Sequence, residues 1–394
     1  MREYLMRLGV AVAVAVAWVL IFWASAGAEE RKLNVLLGVA EEYNDNIFFS
    51  FEDKIDDFIT TVSGGLKAGL KNERGNIDLS GRLDSLYYND NDELDDVDQF
   101  YTGSVGYALT DRLKVLLDAD FSRDSRPDRD INLTGLVLGT AIREKQQYGI
   151  ASDFALTDIS RAGLSYRYNQ EEFDKSELTD FHYHQAGLRF SHRLDKHFLN
   201  TTGRLNLNFA TYDYTETKTD YYGATIGVQK EVTELWRLLV DLGVRYTDSE
   251  FETIEGERTN EDWGAVEVIE FSYHGEYLAT SISFSHDIGT AGGRQGSVQR
   301  TSVVFIASYA LARDWQIGLS AGYFINLADE GGLAVSEIDE ETANLRPWLR
   351  FLLTDWLALE ASYTHSRLDD NVANDTAYRN LYLLELGVDY PVLE

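Results

Sequence analysis

The chain has no cysteine and only 3 prolines in 394 residues. Without cysteine there is no disulfide framework, no thiolate metal centre and no covalent haem attachment. Scarce proline leaves long stretches able to donate every backbone N–H, as extended ladders require. Positive charge is short as well: 35 Lys and Arg stand against 66 Asp and Glu, a net charge of −31. A nucleic-acid binder needs a basic face, so no nucleic acid is expected as a partner. Beyond the first two dozen residues, no apolar run approaches the ~18 residues of a membrane-spanning helix. What the chain does have is aromatic residues, 23 Tyr and 19 Phe, which favour strands and speak against an acidic disordered chain.

Residues 1–28 read as a cleaved Sec signal peptide. Arg2 and Arg7 form a basic start, Leu8 to Trp23 an apolar run, and Ala24-Ser25-Ala26 and Ala26-Gly27-Ala28 offer small-x-small cleavage sites. Residues 29–394 are expected to form a single domain.

Within that domain, strict alternation recurs. Leu205, Leu207 and Phe209 interleave with Arg204, Asn206 and Asn208. Leu238, Val240, Leu242, Val244 and Tyr246 interleave with Leu239, Asp241, Gly243 and Arg245. Period two over such lengths is a strand with one apolar and one polar face. Short polar turns punctuate the pattern: NERG near 73, TDRL near 111, TDIS near 158, LDKH near 195, TELW near 234, HGEY near 275, ARDW near 313 and LTDW near 355. Their spacings run from 37 to 47 residues, with a longer acidic loop expected between each pair, as at 89–98, 248–262 and 329–341.

A propeller blade has a similar period but fits four short strands into it. Here each period holds two strands of about eleven residues, enough to cross a bilayer at a tilt. The fold class is therefore an all-β transmembrane antiparallel up-and-down barrel of about 18 strands (16 to 18), with short periplasmic turns and long acidic extracellular loops. Trp236, Trp315 and Trp356 each follow a short turn and are expected in the periplasmic aromatic girdle. Residues 376–390 read as the closing strand. Pro391 to Glu394 then form either a periplasmic tail or a degenerate insertion signal.

A barrel of this size encloses water unless something plugs it. Expected lumen-lining residues carry both signs: Arg82, Asp84, Asp118, Asp120, Arg167, Arg189, Arg204, Asp241, Arg245, Arg346, Arg350 and Glu360. They fit either ion pairs that hold the wall or selectivity for a charged or hydroxyl-rich solute. The longest loop, 124–146, has charged ends and an apolar middle, and either folds inward as a constriction or stays outside. No catalytic residue, resident metal or cofactor is expected. Asp90, Asp92, Asp96 and Asp98 are the candidates for loosely held Ca²⁺ or Mg²⁺, although the stretch lacks the glycine and terminal glutamate of an EF-hand loop. His182 and His184 share a strand face without a third ligand. His365 and Ser366 are adjacent, so their side chains point to opposite faces.

The segment EEYNDNIFFS (41–50), with DDFITTVSGGLKAGLKN and DSRPDRDINLTG, resembles the outer-membrane β-barrel families associated with exopolysaccharide and PEP-CTERM/exosortase gene clusters. Glu42-Tyr43-Asn44-Asp45-Asn46, Asp57-Phe58-Ile59-Thr60 and Leu353-Thr354-Asp355 carry the likeness, with Glu42, Tyr43, Asp45 and Asn46 as its marker. The resemblance implies a porin-like passive channel engaged in export or display of exopolysaccharide. Its implied partners are outer-membrane lipid and lipopolysaccharide, the barrel-assembly machinery, and a polysaccharide or other polar solute. The alternatives are a non-conducting surface barrel whose acidic loops bridge cations or lipopolysaccharide, and a sleeve around a partner such as a multihaem cytochrome. The marker segment itself is expected at the rim, as solvated turn formers.

Overall fold

The computed structural model describes residues 30–126, 131–136, 141–253 and 256–393, and the expected signal peptide lies outside them. Eighteen strands follow one another. The first six are β1 (Glu30–Asn44), β2 (Asp57–Lys71), β3 (Gly75–Tyr88), β4 (Asp96–Ala108), β5 (Leu113–Asp124) and β6 (Arg143–Ala155). The next six are β7 (Ser160–Phe173), β8 (Phe181–Arg193), β9 (Thr201–Tyr214), β10 (Thr217–Glu231), β11 (Trp236–Thr253) and β12 (Gly256–His274). The last are β13 (Leu278–Thr290), β14 (Ser297–Ala312), β15 (Trp315–Ala328), β16 (Ile338–Thr354), β17 (Leu357–Asp370) and β18 (Asp375–Leu393). Each pairs antiparallel with its chain neighbours, and β1 pairs with both β2 and β18, so the sheet closes on itself.

Closure leaves an outer and an inner face, and alternation assigns side chains to them. The outward set is apolar and uncovered: Leu37 on β1 is 55% exposed and Ile226 on β10 is 72% exposed. A belt of this kind around a closed barrel is stable against lipid and not against water. Aromatic rings bound it at both ends. Near the short turns Trp236 stacks on Phe271 at 4.5 Å, Trp315 meets Phe351 at 4.5 Å and Trp356 meets Tyr390 at 5.6 Å. Near the loops Tyr43 meets Phe58 at 4.9 Å and Tyr246 meets Trp263 at 5.2 Å.

Several of the short turns share one chemical device. The Thr110 hydroxyl accepts the N–H groups of Arg112 and Leu113, Thr157 those of Ile159 and Ser160, and Thr233 those of Leu235 and Trp236. Asn72 accepts from Arg74 and Gly75 in the same way. A side-chain oxygen two or three residues ahead replaces the ladder partner that a reversing backbone loses.

Two sequence expectations need correction. The acidic stretch 248–262 is not a loop, because β11 and β12 stay paired through Thr253↔Gly256. Beyond the membrane the outward face of the hairpin, with Glu250 and Glu252, meets water, while Thr247, Ser249 and Phe251 on the other face are buried. The connection between β9 and β10 is likewise only residues 215–216. At the chain end, Pro391 and Leu393 pair with Asn34 and Leu33 across a register shift, so the described part of the expected tail belongs to the closing strand.

The two faces make opposite demands. Leu37→Arg, at the middle of an outward face, should destabilise the barrel by about 2–4 kcal/mol in urea titrations in lipid vesicles. Thr102→Arg, on the inner face beside a cavity, should cost far less. Equal costs would contradict the assignment of faces.

Candidate functional site

The loop mouth is where the chain turns back into its own barrel. Between β5 and β6 a single helical turn, α1 (Ile131–Thr134), rests against β15 and β16. In a ring of eighteen, β6 and β15 are nine strands apart and face each other. The segment therefore crosses the whole lumen, and the constriction reading of this loop holds for its described part. The far wall receives it with polar groups: Asn326 donates to the Thr134 carbonyl at 3.2 Å, Thr342 to that of Gly135 at 2.5 Å, and Asn344 to that of Ile131 at 3.4 Å. Gly135 has φ +68°, and a Cβ there would collide with the Phe324 side chain, so glycine is required twice over.

The segment EEYNDNIFFS is not the solvated rim expected from its composition. Asn44 and Asn46 are fully buried, Ile47 and Phe49 nearly so. Asn46 accepts from the Ser50 N–H at 2.8 Å and donates to the Ser50 and Tyr378 carbonyls. Asp45 accepts both the backbone and side-chain N–H of Asn380 at 2.6 Å. Phe49 packs with Ile131 of the crossing segment, Leu368 and Ala377, under the Arg379 guanidinium at 4.8 Å. Glu42 meets Arg126 at 2.7 Å, with both side chains almost entirely buried. Glu41 and Tyr43 face outward, Glu41 accepting from the Thr60 hydroxyl at 2.7 Å and Tyr43 lying between Phe58 and Tyr382. The second resemblance motif is also structural: the buried Asp57 carboxylate gathers the N–H groups of Asn89, Asp90 and Asn91.

Two further loops close over the opposite side. Residues 291–296 reach Thr179, whose N–H bonds the Gly293 carbonyl at 2.6 Å, and Glu216, whose N–H meets Gln295 at 3.2 Å. Ala291, Leu333 and Ala334 form an apolar cluster with Tyr212 and Tyr221. Toward the short turns the interior widens into a cavity of about 840 Å³, bordered by Lys32, Asp78, Lys114, Asp153 and Arg189.

Of the residues singled out in the sequence, several meet. Arg204 lies 3.1 Å from Asp241, Arg82 3.0 Å from Asp84, and Arg346 and Arg350 each 3.2 Å from Glu360. Arg245 is paired with Asp262 at 3.2 Å. Asp118 and Asp120 border a cavity with Lys67, and Arg167 stands opposite Gln185. Asp96 is engaged by Arg123 at 2.9 Å and the buried Asp98 by the Ser125 N–H at 2.8 Å, so they do not converge with Asp90 and Asp92. His182 faces Asp213 at 3.6 Å, and His184 bonds Tyr166. His365 bonds Asn380 across the strand rather than Ser366. The only G-x-S-x-G stretch, Gly318 to Gly322, runs mid-strand in β15 and lacks the strand-to-helix turn of a nucleophile elbow. Arg126, Arg143 and Lys145 were visible only as charged loop ends, and Glu171 and Arg300 not at all. Arg300 shares its strand face with Val298 and Ser302, on a strand whose apolar residues fall on both faces.

A closed barrel, an uncovered apolar belt and an aromatic ring at either end define a transmembrane β-barrel of the outer membrane. It is one whose outer mouth is crossed by its own chain. No protein family matches the sequence, and no curated protein matches it. Among solved structures it is similar to OccK2 (OpdF) of Pseudomonas aeruginosa, with 8% identity, TM-score 0.49, and 93% of this chain and 99% of that one covered. It is also similar to OpdK of the same organism with vanillate, at 11% identity, TM-score 0.49, and 92% and 100% coverage. A third is OccAB4 of Acinetobacter baumannii, at 9% identity, TM-score 0.48, and 92% and 99% coverage. No residue role is carried across at such identities.

The marker segment's burial has a measurable consequence. Asn46→Ala strips partners from buried backbone groups, at about 1–3 kcal/mol each. Hydrogen exchange in micelles should accelerate at Ser50 while amides near Gly38 stay protected. Unchanged exchange at Ser50 would contradict the anchoring role.

Proposed function

We propose that the protein is a porin-like outer-membrane channel for small polar solutes, narrowed at its outer mouth by inward-folded loops. The observation that carries this reading is the crossing of the lumen by the β5–β6 segment, above a polar interior that widens toward the periplasm. The wall is built from ion-paired residues such as Arg204 and Asp241, which offer hydrogen bonds along a wet path. Flux through it is passive, because nothing in a closed sheet couples transport to an energy source.

Carriage of an extracellular polysaccharide, the finer reading implied by the family resemblance, requires a bore continuous enough for a polymer. That demands release of the segment held by Asn326, Thr342 and Asn344. A sleeve around a folded cytochrome demands still more room. A non-conducting surface barrel is the remaining rival.

Single-channel recording in planar bilayers tests the assignment. The wild-type barrel should give small conductance steps, and excision of residues 129–140 should enlarge them several-fold. A folded, heat-modifiable barrel that gives no steps in either form would sink the channel reading. A wild-type conductance already as large as that of the excised form would mean that the loop does not constrict the path.

A further inference from the structure

A cavity of about 250 Å³ lies directly beside the crossing segment, bordered by Thr134 and Leu136 of that segment and by the facing walls. Its charge is opposite to that of the chain. Arg143, Lys145 and Arg300 border it, against Glu171 as the one acidic residue among the described residues of its lining. Lys145 meets Glu171 at 3.1 Å, and Arg143 is set between Glu171 at 3.6 Å and Asp124 at 3.8 Å. Arg300 is different. Among the described residues no carboxylate comes within ion-pair distance of it, and the bonds that hold it run to neutral groups: Nε to Asn326 at 2.8 Å and Nη2 to the Thr290 carbonyl at 3.1 Å. Of five guanidinium N–H donors, those two bonds leave three. The Arg300 Nη1 rests over Gly289, where a Cβ would lie 2.9 Å away.

We infer that this cavity is a binding subsite for a small carboxylated solute, with Arg300 as its anchor. The inference rests on the channel reading and names what the channel selects. Among the described residues, three cations against Glu171 and Asp124 leave one net positive charge, which a monoanion neutralises. A flat guanidinium edge matches a carboxylate in a bidentate grip. Tyr183, Tyr212 and Leu136 supply ring faces and apolar surface for the rest of the molecule, and Gln185 a polar contact. Asn326 joins the subsite to the constriction: its Oδ1 accepts from Arg300 while its Nδ2 holds the Thr134 carbonyl. A solute leaving the outer mouth beside α1 thus meets a local net positive charge on a chain that is strongly acidic as a whole.

The full mature barrel, folded in detergent, is titrated calorimetrically at low salt with gluconate, benzoate and inorganic phosphate. Saturable carboxylate binding, weakened about tenfold or more by Arg300→Gln and likewise by Lys145→Gln, is the expected result. The second variant serves should the first fail to show heat-modifiable folding. In bilayers under a KCl gradient, the reversal potential of the wild type should indicate chloride preference and move toward zero in the variants. No carboxylate binding, equal binding by the variants, or tighter binding of phosphate than of gluconate would overturn the proposal. Because calorimetry needs no conduction, binding without conductance steps would count against the channel reading alone. Conductance without binding would count against the subsite alone.

Discussion

Everything in this protein depends on one requirement: in hydrocarbon, no backbone N–H or C=O can be left without a partner. A sheet meets it only by having no edge, and here that means the ladder between β1 and β18, from Val35↔Tyr390 to Asn44↔Leu381. Once the ring is closed, each residue is committed to lipid or to the interior by its parity alone. The apolar belt and the charged inner wall are then two readings of one alternation. Even Pro391 is accommodated on these terms, at a register shift near the end of the ladder, where one missing donor is least harmful.

Closure creates a second problem. A ring of eighteen strands is too wide for wall side chains to fill, so its interior must be water or chain. This protein uses both. At the periplasmic side charged residues stand around open space, and at the outer side loops occupy it. The loops are held mainly by hydrogen bonds donated by buried asparagines and threonines or accepted by buried carboxylates, with small apolar clusters between them. That choice suits a structure whose surroundings are already polar. It also makes each bond directional, so that the crossing segment is held at one place on the far wall.

The wall was legible in the sequence because period two and the threonine turns are local signals. Leu205, Leu207 and Phe209 announce a strand without reference to any other part of the chain. The mouth was not legible, since its partners are remote. Asn46 looks like a turn former until Tyr378 is known to lie against it, 332 residues away. The acids of 248–262 looked like a loop because acidity marks solvent, and the outward face of a projecting hairpin meets solvent as a loop does. Arg300 gave no signal, because on β14 apolar residues occupy both faces and parity says little about the surroundings. Of the four residues singled out in the segment EEYNDNIFFS, Glu42, Asp45 and Asn46 belong to the internal architecture and Tyr43 to the outer surface.

The position of that marker also orders assembly. Asp45 and Asn46 sit at the end of the first strand, yet their partners Asn380 and Tyr378 are on the last. These bonds cannot exist while the sheet is open, however early the first hairpin forms, since the two strands have not met. The Phe49 cluster with Ile131, Leu368 and Ala377 depends on the same seam. This part of the cover over the mouth reports on the joint beneath it: a barrel whose first and last strands are misaligned by one residue loses these latches.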